Sequence, residues 1–167
     1  GVWLLFISTA SLIGFFSDFS SFPPRVVIVI VIPFVTILII IFSRSINSLL
    51  RVIPPQNLLY IQSFRVVVEV LLWMLFLQQL LPVQMTFEGR NWDILVGLTA
   101  PLVAYFGLVK GNWPRSVLIV WNVLGLMLLA NIVTIAILSM STPFRVFMNE
   151  PSNTIVAAFP YVWLPGV

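Results

Sequence analysis

The sequence predicts an all-α polytopic integral membrane protein, a bundle of about six transmembrane helices joined by short loops and carrying one or two interfacial helices. Three observations lead there. Of 167 residues, 60% are hydrophobic and only 8% are charged, where a soluble domain has about a quarter charged. The apolar residues fall into runs near the roughly 17 to 25 needed to cross about 30 Å of hydrocarbon as a helix, and the connecting loops hold nearly all the charge. Runs such as IVIVIPFVTILIII at 28–41 do not alternate in polarity, as strands of a membrane barrel must.

The spans are expected at 2–16, 25–42, 57–81, 94–109, 115–140 and 154–167, forming a single transmembrane domain read as truncated at both ends. The opening GVWLLFISTASLIGFF lacks a basic flank and a small-residue cleavage site, so it is read as a spanning helix and not as a signal peptide. Asp18, the serines around it and Pro23-Pro24 end the first span. The second is densely β-branched and contains Pro33, which removes one backbone hydrogen bond. Over residues 43–57, Ile46, Leu49, Leu50 and Ile53 share one helical face while Arg44, Asn47, Ser48 and Arg51 share the other, the pattern of a helix lying in the headgroup boundary.

The third span carries the central feature. Gln62, Arg65, Glu69, Trp73, Phe76 and Leu80 fall within about 60° of one another on a helical wheel. An ionised residue mid-membrane costs on the order of 2.5 to 3.5 kcal/mol, so this stripe is expected to face the protein interior, with Arg65 and Glu69 as an intramembrane pair. Pro82 ends the span. The next loop concentrates Gln84, Thr86, Glu88, Arg90, Asn91 and Asp93, the most polar stretch of the chain. It reads either as a solvated turn with weak surface ion pairs among Glu88, Arg90 and Asp93, or as a mouth or lid over Arg65 and Glu69.

The fourth span places Gly97, Ala100, Pro101 and Ala104 at its middle, small residues that permit close helix approach, or a discontinuity exposing backbone groups. KGNWPR at 110–115 is a basic turn with Trp113 at the interface. The fifth span holds Asn122 and Asn131 as structural polar residues, half a turn apart and so unable to serve one site. In 141–154, Phe144, Phe147 and Met148 oppose Arg145 and Asn149, suggesting a second interfacial segment before a last, irregular span with Pro160 and Pro165.

Loops after the even spans hold Arg44, Arg51, Lys110 and Arg115; those after the odd spans hold Arg25, Arg90 and Arg145 with all four loop acids. The bias puts loops 43–57 and 110–115 in the cytoplasm. The similar span openings PPRVVIVIV at 23–31 and WPRSVLIVW at 113–121 would fit an inverted repeat; they fit equally a common way of starting a membrane helix.

Cysteine and histidine are absent, which leaves no expected cofactor and no thiolate or imidazole metal site. The net charge of +3 is spread over loops, so lipid, and not nucleic acid, is the expected partner, with a homo- or hetero-oligomer open. Catalysis is the least favoured class, since the one lysine lies in a loop and no nucleophile-base pair is spaced for it. Two readings stay open. One is a small polar-solute or ion transporter using Gln62, Arg65, Glu69, Glu88, Arg90 and Asp93; the other is a non-catalytic membrane subunit or scaffold docking a partner through the same helix and the 82–93 loop. A hydrated cavity opening towards Glu88 and Asp93 is the expectation for the first, a filled, dry ion pair for the second.

Overall fold

The computed structural model describes residues 1–21, 23–43 and 52–166. Among these residues every regular element is a helix and there is no strand. Three helical stretches, Arg25–Phe42, Pro55–Leu77 and Arg115–Leu138, are long and apolar enough to cross a membrane by length and composition. Protein covers only 11%, 17% and 11% of their apolar windows. Phe34, Ile39, Leu126 and Met127 accordingly remain exposed, and helices apolar on every side are stable only where the surroundings are apolar too.

Contacts divide the chain into two compact units, Gly1–Leu50 with Leu138–Val167, and Arg51–Ile137. In the first, α1 (Val2–Leu12) stops before Gly14, whose φ of 74° leaves the helical region. A 3-10 turn at Arg25–Val27 leads into α2 (Ile28–Phe42), which contains Pro33. Between them the Ser20 hydroxyl and N–H, with Arg25 beyond, hold the Asp18 carboxyl below its usual range. Residues 44–51 of the expected interfacial helix lie outside the described residues.

The C-terminal part of this unit departs from expectation twice. Residues 141–152 form no helix: between Pro143 and Pro151 the Arg145 guanidinium donates to the Phe147 and Asn149 carbonyls and to Glu150, fixing an irregular strap. In place of a span from Thr154, a 3-10 turn at Ile155–Ala157 and the single-turn α7 (Trp163–Gly166) flank Pro160. Proline interrupts helical bonding there, and polar contacts take over. Ser11 donates to the Ala157 carbonyl at 2.7 Å and the Trp163 indole donates to Ser8 at 2.9 Å, around a core of Ile7, Phe16, Val26, Met140 and Val162.

The second unit opens with α3 (Pro55–Ile61), where Pro55 occupies the first turn, the position at which a missing N–H costs nothing. A tight turn at Gln62 and Ser63, whose carbonyls accept from Arg65 and Val66, leads into α4 (Phe64–Leu77). Gln79 then adopts φ 59°, while Leu80 N–H bonds the Leu75 carbonyl and Gln79 N–H that of Phe76. This is a Schellman ending with glutamine where glycine is usual. After a 3-10 turn at Val83–Met85 comes α5 (Ile94–Val103), continued by a π-helical stretch, Ala104–Val109. Pro101 cannot donate within α5, and three residues later the backbone widens to π geometry. The turn at 110–114 leads into α6 (Arg115–Leu138).

Close approach sets the arrangement of these helices. A Cβ on Gly97 would lie 2.9 Å from the Val66 backbone nitrogen, so only glycine lets α5 meet α4 there. Leu59 of α3 packs against Val103 and Ala104, and along α6 the Trp121 indole donates to Thr99 at 2.9 Å while Gly125 faces Val96. Thus α5 starts beside the middle of α4 and runs back towards α3.

Candidate functional site

Glu69, Leu72 and Leu75 are the buried residues of α4, spaced three apart and so on one face. Because Gly97, one turn into α5, meets Val66 in the first turn of α4 and α5 runs back towards α3, α5 starts near mid-α4 and the segment 82–93 must climb back along the second half of α4. It lies over Glu69, whose residue is 2% exposed.

The segment holds itself together through its own backbone. Thr86 accepts at its carbonyl from the N–H groups of Gly89 and Asn91, Arg90 N–H donates to the Gln84 carbonyl, and the Thr86 hydroxyl donates to Val83. A Cβ on Gly89 would come within 2.6 Å of the Gln84 Cα, so this winding requires glycine. Thr86 and Asn91 are fully buried and Gln84 nearly so. Irregular backbone buried this deeply needs such internal pairing.

Asn91 meets the carboxylate. Its Nδ2 lies 2.7 Å from both Glu69 oxygens and 3.1 Å from the Met85 carbonyl, while its Oδ1 accepts the Asp93 N–H at 3.2 Å. Two residues on, Asp93 accepts from Arg65 at 2.6 Å, with side chains 7% and 16% exposed.

The ionic pairing therefore differs from the intramembrane pair expected of Arg65 and Glu69. No salt bridge among the described residues joins those two; Arg65 is committed to Asp93 across 28 positions. The two groups share a helix face, but the loop brings a second carboxylate to the guanidinium and an amide to Glu69. Of the loop charges, Glu88 and Asp93 each accept from a side chain of α4. Glu88 accepts from the Trp73 indole at 2.8 Å at an exposed edge, beside a Trp73–Phe87 ring contact. Arg90 contributes its carbonyl, which accepts from Asn131 of α6 at 2.9 Å. Gln62 stays half-buried at the α3–α4 turn, where its backbone shapes the break. Asn122 donates to Leu118 on its own helix.

Sequence reasoning left Asn91 out of the site, although it contacts Glu69 directly. Its signal was the sequence Glu88-Gly89-Arg90-Asn91, a glycine turn ending in an amide two residues before an acid. The cluster contains two carboxyl groups, one guanidinium and one amide. Arg65 neutralises Asp93; the amide solvates Glu69 without neutralising it. Chemically the arrangement can accept one positive charge at Glu69. Among the described residues no group of three His, Cys, Asp or Glu side chains is placed to hold a metal.

A family model described as Domain of unknown function (DUF8737) matches residues 23–167. No curated protein and no solved structure matches the chain.

Proposed function

Since the chain belongs to that family, whose description names no activity, we propose from its chemistry that it is a multi-pass membrane protein translocating a proton, a small cation or a small polar solute coupled to one. Glu69 is the responsive group. The observation that carries this is its environment: a carboxylate 2% exposed whose neighbouring guanidinium is already engaged by Asp93. An ionisable group inside a spanning helix, lacking a fixed countercharge, is most simply used to receive a mobile one.

In this reading 82–93 is a re-entrant segment. The arrangement that supports it is the start of α5 beside mid-α4 and the Asn131–Arg90 contact seven residues before the end of α6, since non-helical backbone at membrane depth is tolerated only when buried in protein. The conformation is closed, with Asn91 and Asp93 as the lid's two attachments. Loops 43–57 and 110–115 face the cytoplasm by their basic residues.

The test is ion flux in proteoliposomes under an imposed proton, Na⁺ or K⁺ gradient, read by trapped indicator dyes. The reading expects flux for the native chain and its loss in Glu69→Gln. Equal flux from both sinks the assignment of Glu69.

One observation favours a second reading, a non-catalytic membrane subunit or scaffold. Arg65, Glu69, Asn91 and Asp93 satisfy one another within a closed cluster, as a structural tie would. Native mass spectrometry from mild detergent separates the two: a stoichiometric second polypeptide favours the subunit, a lone species with flux favours transport.

A further inference from the structure

The groups around Glu69 discriminate among the positive charges that could neutralise it. The Asn91 amide is held in one orientation: its Oδ1 accepts the Asp93 N–H at 3.2 Å and its Nδ2 donates to the Met85 carbonyl at 3.1 Å, which keeps the donor end 2.7 Å from both Glu69 oxygens. That nitrogen stands where an ion chelated by the two oxygens would have to stand.

Oxygen ligands for such an ion are also committed elsewhere. Sites for Na⁺ and K⁺ converge several carbonyl oxygens on the ion, and Ca²⁺ or Mg²⁺ takes about six oxygens or more. Here the carbonyls of Pro82, Val83, Gln84, Met85, Thr86 and Arg90 each accept a hydrogen bond already. The second carboxylate, Asp93, is taken by Arg65 at 2.6 Å. A metal ion at Glu69 would meet one carboxylate, an amide donor aimed at the same two oxygens, and a guanidinium one turn away on the same helix.

A proton makes none of these demands. An ionised carboxylate offers about four lone-pair positions; Asn91 takes one on each oxygen, and a proton needs only one of the rest. The charged groups that act on Glu69 are Arg65 of α4 and Asp93 of the segment over it, and these two offset each other. Glu88 is turned to the exposed edge on Trp73, Arg90 is exposed, and α5 carries no titratable residue. No side chain is left over to neutralise the carboxylate.

We infer that the charge Glu69 receives is a proton and not a metal cation. The proton comes from water on one side, adds to a lone pair of one carboxylate oxygen to give a neutral acid, and returns to water on release; the other oxygen keeps its bond from Asn91 throughout. The inference rests on the reading of Glu69 as the responsive group and names what that group carries.

The experiment titrates the whole chain in detergent and follows the infrared carbonyl stretch of a protonated carboxylic acid as pH falls. The expected result is a band absent from Glu69→Gln and displaced in Glu69→Asp, with one midpoint in sodium, potassium or choline chloride of equal concentration. A metal ion sharing the site would lower that midpoint by about one pH unit for each tenfold rise in its concentration. A midpoint that falls with Na⁺ or K⁺ but not with choline overturns the inference. Circular dichroism checks that Glu69→Gln stays folded; Glu69→Asp, which keeps a carboxyl, reads the same group independently, and a band that it leaves unmoved overturns the inference as well. Flux in proteoliposomes separates this from the broader reading. Na⁺ or K⁺ flux that disappears in Glu69→Gln keeps transport and refutes the proton, whereas a Glu69 band without flux of any ion keeps the proton site and refutes transport.

Discussion

Arg65 is bonded to Asp93 at 2.6 Å, 28 positions away, and not to Glu69 one turn along its own helix. The pairing ties the start of α5 to α4 and leaves Glu69 to Asn91. Both side chains of the ion pair are largely buried, where loss of one partner strands the other charge at a typical cost of about 3 to 5 kcal/mol. Arg65→Gln and Asp93→Asn are each expected to lower stability on that scale. The double substitution is expected to cost less than the two singles added, because neither charge is then stranded. Chemical unfolding in detergent reads the cycle; strict additivity would show that the two groups are not energetically joined.

Glu69 and Asn91 separate charge from packing. Glu69→Gln keeps the volume and an acceptor for Asn91, so the fold is expected to survive with a stability change of about 1 kcal/mol or less, the scale of one net hydrogen bond. Asn91→Ala leaves the carboxylate without its polar partner and is expected to cost about 1 to 3 kcal/mol. Asn91→Asp faces one carboxylate with another and is expected to be destabilised further as pH rises and the two ionise together. Thermal melts across pH check the series. A melting temperature for Asn91→Asp that is flat with pH would contradict the placement of Asn91 on Glu69.

The helices were legible because hydropathy and length are additive along a chain. The runs that become α2, α3–α4 and α6 needed no tertiary information, but of the expected stripe only Glu69 is buried, since the helix breaks at Gln62 and Ser63 and ends at Leu77, leaving Gln62 and the exposed Leu80 outside it. Partner identity in the cluster was not legible. Arg65 and Glu69 share a helix face, yet which acid reaches the guanidinium depends on a loop path set by Gly89, by the Gln79 reversal and by the close approach at Gly97, none of which has periodicity. The region after Thr154 failed for a different reason: its apolar composition suits a span, but Pro160 breaks the helical bonding and the polar contacts of Ser8 and Ser11 replace it.

Gln79 holds a left-handed conformation that carries a side-chain penalty of about 1 kcal/mol or more, which glycine avoids. Gln79→Gly is therefore expected to leave the reversal unchanged and to raise stability by a few tenths to about 1 kcal/mol, after allowance for the extra freedom glycine has when unfolded. A melting temperature lowered by the change would show that the Gln79 side chain makes a contribution of its own.

The lid role proposed for 82–93 is open to a direct accessibility test, helped by a sequence with no cysteine. Thr86 is fully buried within the segment while Glu88 is exposed at its edge. In otherwise native chain, Thr86→Cys is expected to resist a membrane-impermeant maleimide and Glu88→Cys to react. Adding Asp93→Asn removes one attachment of the segment to α4, so the Thr86→Cys position is expected to gain reactivity, whereas Glu88→Cys, already accessible, should change little. Gly89→Ala supplies an independent route to the same state, because a Cβ there collides with the Gln84 backbone and must loosen the winding. If Thr86→Cys stays protected in both backgrounds while the protein remains folded, the segment is a fixed plug held by its own backbone bonds, and the lid function assigned to Asn91 and Asp93 is wrong.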